Sequence, residues 1–272
     1  MFLLRIFILC FFAINLKANI IGTNVQNFNP NCDGIDFVTV QSPLTLAPCY
    51  GNIGLFINHA ANSLNTTLNG EDRSTDVQDR LTYADINFSI GLWKNVDFGL
   101  SLPILLKQTI EEQTQNVLFS EEGITEVRAN IKYRFLKTKD WHSAFILTLN
   151  HNLIRNNPFA GEDAGQVINT EFAVGKRFRD YAFAFNIGYR FRNPGTPIPD
   201  TGILPIQNQF IASAGFNKSF SRKSKIIAEI VSSIPTEVQP GFTKKELSSY
   251  EFIGGVKPVS YTHLTLPTTP YV

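Results

Sequence analysis

Apolar and polar side chains alternate in segments of about ten residues along most of this chain. Successive side chains of an extended strand point to opposite faces, so each segment reads as a strand with one oily and one polar side. Ile53, Leu55 and Ile57 share a face in the first segment (52–62), and Ile86, Phe88, Ile90 and Leu92 in the second (83–93). The third carries Val96, Phe98, Leu100, Leu102 and Ile104. The fourth is the clearest: Val127, Ala129, Ile131, Tyr133 and Phe135 alternate with Glu126, Arg128, Asn130, Lys132 and Arg134. Further segments follow at 141–150, 169–177, 181–192 and 209–217. A ninth, 226–234, has no clear facing, and a tenth begins at Tyr250.

The connections alternate as well. Short turns fall at 94–95, 137–140, 179–180 and 221–223, and longer polar loops at 65–81, 107–123, 153–165, 193–207 and 235–248. Trp93, Tyr133, Phe135, Trp141, Phe178 and Tyr181 cluster beside the short turns, where an interfacial aromatic girdle belongs. The pattern predicts an all-β fold: an antiparallel, transmembrane, up-and-down β-barrel spanning 52–257. Ten strands are visible and twelve are expected in the complete protein. Closure follows from physics, because an open sheet edge in hydrocarbon leaves backbone groups unpaired.

The ends refine the domain picture. Met1–Arg5 and the apolar run Ile6–Ile14, too short to span a bilayer as a helix, predict a signal peptide over 1–18. Residues 19–51 are then expected as a periplasmic segment before the barrel. Val259–Thr269 reads VSYTHLTLPTT, the translation of a transposase sequencing adapter, so 258–272 is expected to be an artefact. The location expected is the Gram-negative outer membrane, with lipid and lipopolysaccharide as surroundings.

Composition narrows the function. Lysine and arginine number 24 against 23 acidic residues; without Arg5 and Lys17 the mature chain is close to −1. That balance lacks the basic stripe of a nucleic-acid binder. Cys32 and Cys49 are the cysteines that remain after export, and in an oxidising compartment they are expected to pair, with two free thiols as the alternative.

Chemistry is sparse. His59, His142 and His151 are the mature histidines, and His151 has Glu162 and Asp163 in the loop that follows. No nucleophile elbow, metal-ligand spacing or phosphate-binding glycine loop accompanies them. The expectation is therefore no enzyme and no cofactor, with the polar rim as the reading for His151. The expected lumen-lining residues are Glu126, Arg128, Lys132, Arg134, Glu171, Arg177, Arg190 and Arg192, with Glu229 read as a further inward charge. They mix both signs, which suits either a charge-lined pore or an interior filled by its own ion pairs.

The stretch Asn27-Phe28-Asn29-Pro30 followed by Asp33-Gly34-Ile35-Asp36-Phe37-Val38-Thr39-Val40, with Gly54-Leu55-Phe56-Ile57-Asn58 and Asp97-Phe98-Gly99-Leu100-Ser101-Leu102-Pro103, resembles the start of large OmpA-family outer-membrane proteins. The resemblance covers most of the mature chain. It implies a barrel acting as a structural membrane anchor, continued in the family by a periplasmic domain that binds peptidoglycan. The alternative function is a passive porin-like channel or small-solute transporter. The cysteine pair is not a feature of that resemblance.

Overall fold

The computed structural model describes residues 27–61, 67–68, 71–72, 79–110, 122–157, 159–198, 204–221, 224–237 and 248–258. The expected signal peptide and the tail from 259 onward lie outside these residues.

The fold is all-β. Ten long strands follow one another in chain order: β1 (Gly51–Ala61), β2 (Asp79–Trp93), β3 (Val96–Ile110), β4 (Glu126–Lys137), β5 (Trp141–Asn152), β6 (Val167–Arg177), β7 (Tyr181–Arg192), β8 (Gln209–Ser221), β9 (Ser224–Pro235) and β10 (Ser249–Pro258). Each pairs antiparallel with its sequence neighbours, as the short connections between them require. The sheet curls into a half-barrel. Among the described residues β1 and β10 form its two edges.

Alternation sorts the side chains as the sequence predicts, but the burial is inverted relative to a water-soluble sheet. Outward-facing Leu55 is 65% exposed and Phe252 is 75% exposed, whereas inward-facing Lys132 and Glu229 are each 1% exposed. All six girdle aromatics are exposed beside the short turns. The ninth strand also resolves: Ile226 and Ile230 face out, while Ile227, Glu229 and Ser233 are buried on the inner face.

Two differences from the sequence reading are local. Strands β2 and β3 run further into the expected loops, because pairing continues from Thr82↔Lys107 to Asp79↔Ile110. A register shift at Thr82/Tyr83 breaks the period-two pattern there, which hides the extension from a reading of alternation.

The larger difference concerns residues 27–50. They do not hang outside the sheet as a separate segment: they lie against its concave face. Asn27 bonds Ser249 and Ser233 near the long-loop ends of β10 and β9. The segment then descends to Asp36, which meets Arg177 and Lys225 at the short-turn ends of β6 and β9. It leaves past Pro48, bridged to Gly91, into β1. This inner segment also ties the two sheet edges together. Asn52 of β1 donates to the Cys32 carbonyl at 2.8 Å, and Lys257 of β10 donates to the Gly34 carbonyl at 2.7 Å.

Candidate functional site: the plugged concave face

Between Asn31 and Thr45 the inner segment carries Asp33, Asp36, Phe37, Val40 and Pro43, with no stretch long enough to form a strand of its own. Its backbone polar groups are instead satisfied by side chains of the wall, as buried groups must be. The Glu229 carboxylate accepts three consecutive backbone N–H groups, from Val38 (2.6 Å), Thr39 (2.8 Å) and Val40 (2.8 Å). Asp97 accepts the Leu46 N–H at 3.1 Å. Asn186 and Asn217 donate to the carbonyls of Gln41 and Asp36.

Charges complete the match. Lys132 is paired with Asp33 inside the curve, and Asp36 pairs with both Arg177 and Lys225. Burial pushes the Asp36 carboxyl up, but the Arg177 and Lys225 charges outweigh it, and the net result is a value below the ordinary carboxylate range. Asp36 holds this position in the left-handed region, with φ of 54°.

Apolar contacts anchor the same segment. Phe37 and Val40 form a small core with Ala182 and Ala184, flanked by Val231. Gly215 is where Phe37 comes closest to the wall: a Cβ at that position would lie 2.8 Å from the ring. A Cβ on Gly91 would lie 2.2 Å from the Ala47 carbonyl oxygen. The wall is therefore cut away where the plug touches it.

The expected disulfide is absent. Cys32 and Cys49 are both free thiols, the first buried and the second exposed. Cys32 is held at the wall, its carbonyl accepting from Asn52 and Ser89 and its Cβ close over Gly99. Cys49 is exposed at the exit of the segment, where its N–H donates to the Gly91 carbonyl at 2.8 Å. Burial, aided by the charges of Asp33 and Asp85, pushes the Cys32 thiol up to about 12.

All eight expected lumen residues lie on the polar face of their strands, but they do not form one array. Arg128 is clamped by Glu126 at 2.6 Å and Asp85 at 3.3 Å, and Ser101 donates to Asp85. Lys132 and Arg177 hold the plug. Arg134 donates to the Lys94 carbonyl and to Asn95, closing the first short turn from inside. Arg192 and Arg190 both bond Gln209, and Arg190 also bonds Asn169. Glu171 has no hydrogen bond or ion pair among the described residues. Glu229, read as a further inward charge, does face in and holds the plug. Asp33 and Asp36 are not among the candidates, because they lie in the segment expected before the barrel.

No histidine meets a carboxylate among the described residues. The His59 ring bonds Thr82 at 2.9 Å, His142 is buried on the inner face, and His151 is exposed while Asp163 pairs with Arg155. No group of His, Cys, Asp and Glu among the described residues could hold a metal ion. Above the plug a cavity of about 80 Å³ lies between the segment and strands β3 to β9.

No model of a known protein family matches this chain, and no curated protein matches it.

Proposed function

We propose that this protein is an outer-membrane β-barrel of the OmpA kind, a structural anchor whose lumen is sealed by its own N-terminal segment. The observation that carries this reading is the inverted burial. An apolar shell of outward Ile, Leu and Phe covers the convex side, far beyond the patches a soluble monomer leaves exposed. Charged groups of the strands such as Arg128, Lys132 and Glu229 instead lie inside, held by one another or by the plug. Hydrocarbon outside and a satisfied polar interior are what a membrane barrel needs. Lipid and lipopolysaccharide are then its surroundings, with peptidoglycan reached through a further domain in the complete protein.

An anchor is favoured over a channel because the inner segment crosses the lumen and its bonds are charged and buried. Planar-bilayer recording on the refolded chain tests this. We expect no unitary conductance steps in the wild-type protein. Regular steps with a reproducible reversal potential would replace the anchor by the passive channel. Flotation with liposomes tests the membrane reading separately, and a chain that stays dispersed without detergent or lipid would remove it.

A further inference from the structure

Three of the buried side-chain polar atoms without a partner among the described residues lie at the wall of the cavity above the plug. Here Asn31 is almost fully buried and its Oδ1 has no partner, while its Nδ2 donates to the Val40 carbonyl. That donation fixes the orientation of the amide, so the free atom is an acceptor. Thr39 Oγ1 and Asn150 Oδ1, also at the cavity wall, are buried without partners too. Glu171 lines the same cavity with no bond or ion pair among the described residues. Arg190 lines it as well: its Nε and Nη1 go to Asn169 and Gln209, and Nη2 makes no hydrogen bond among the described residues.

A carboxylate without a hydrogen bond and a guanidinium nitrogen with spare capacity thus face one cavity, near enough to feel each other's charge but with no direct ion pair among the described residues. Arg190 is cross-strand from Asn169, and Glu171 is two residues along on the same face of β6. Such diagonal positions are about 7–8 Å apart, within reach of two long side chains closing on one small molecule. Holding the two apart without a direct contact is costly, and a ligand of one sign would satisfy one and repel the other. A zwitterion satisfies both. The cavity of about 80 Å³ has room for roughly six waters, or a solute of about five non-hydrogen atoms.

We infer that this cavity is a binding site for a small zwitterion, the simplest α-amino acids being the chemical class. The ammonium meets Glu171, with Asn31 Oδ1 and Thr39 Oγ1 as further acceptors, and the carboxylate meets Arg190. This goes beyond the anchor role and does not depend on it, since a sealed barrel can hold a solute above its seal.

Isothermal titration of the refolded full chain in detergent at neutral pH tests the site, with glycine as the probe and acetate, ethylammonium and glycerol as controls. Saturable binding of glycine, and about tenfold weaker binding or none for the three controls, is the expected result. Glu171→Gln and Arg190→Gln should each weaken glycine binding about tenfold or more. Asn150→Leu fills the cavity without touching either charge and should also abolish binding. No saturable glycine binding in the wild-type chain overturns the proposal. So does glycerol binding as well as glycine, which describes a merely hydrated void. Ethylammonium binding that matches glycine and survives Arg190→Gln describes a cation site instead. Undiminished binding in Asn150→Leu moves glycine out of this cavity.

Discussion

The two faces of this sheet follow different rules. On the convex face the side chains are large, apolar and exposed, and few of their contacts are particular: Phe183 touches Phe178 and Phe216, ring centroids 6.3 and 5.0 Å away, but other bulky groups would serve there. On the concave face many polar side chains have a named partner. Glu229 serves three amides, Asp36 two cations and Arg128 two carboxylates. A face that meets a uniform medium needs only a category of residue. A face that meets another piece of chain needs individual fit, because each unpaired buried polar group is penalised separately.

The contrast can be broken most strongly at Glu229. Glu229→Ala removes the acceptor of three buried N–H groups and should cost about 3–5 kcal/mol, read as a lower urea midpoint in detergent. A loss near zero would mean that the plug is not held by this carboxylate. On the other face, Leu147→Arg places a charge midway along β5 on the outward side. It should cost about 2–4 kcal/mol for unfolding from lipid vesicles, and an unaltered stability there would show that hydrocarbon does not contact this surface.

A finer comparison uses two adjacent residues of β8. Gly215→Leu drives a side chain into Phe37 and should destabilise by about 1–3 kcal/mol. Ala214→Leu makes a similar enlargement one residue away, on the outward face, and should change stability by no more than about 0.5 kcal/mol. Equal effects from the two variants would erase the distinction between the faces. A pH-dependent effect is expected at Asp36. Its folded pKa lies below the unfolded value, so its contribution is fully present above an unfolded pKa of about 3.9 and is lost as pH falls through the lower folded value. Asp36→Asn should therefore be less stable than wild type at neutral pH, with the gap narrowing as the solution is acidified below about pH 4. A gap that widens on acidification would reverse the assignment.

Much of the wall was legible from the chain alone. Period two in Glu126–Phe135 or Tyr181–Arg192 places each side chain on a face whatever surrounds the strand, and tight turns such as Lys94-Asn95 make neighbouring strands pair in order. The candidate site was legible only by half. The eight charged residues expected inside do lie on the inner face, yet alternation says nothing about which group each one meets. Their partners Asp33 and Asp36 come from a segment without periodicity, about a hundred residues or more away in sequence.

Local physics in the sequence thus determined the all-β class, the strand order and the sorting of oily from polar side chains, because these depend on stereochemistry within one segment and its turns. Only the tertiary structure decided that residues 27–50 lie against the concave face, that Cys32 and Cys49 stay unbonded and that Glu171 and Arg190 face one cavity. Those outcomes depend on long-range fit between groups with no common local pattern. Such fit exists only once the sheet has curled and the segment has settled against it.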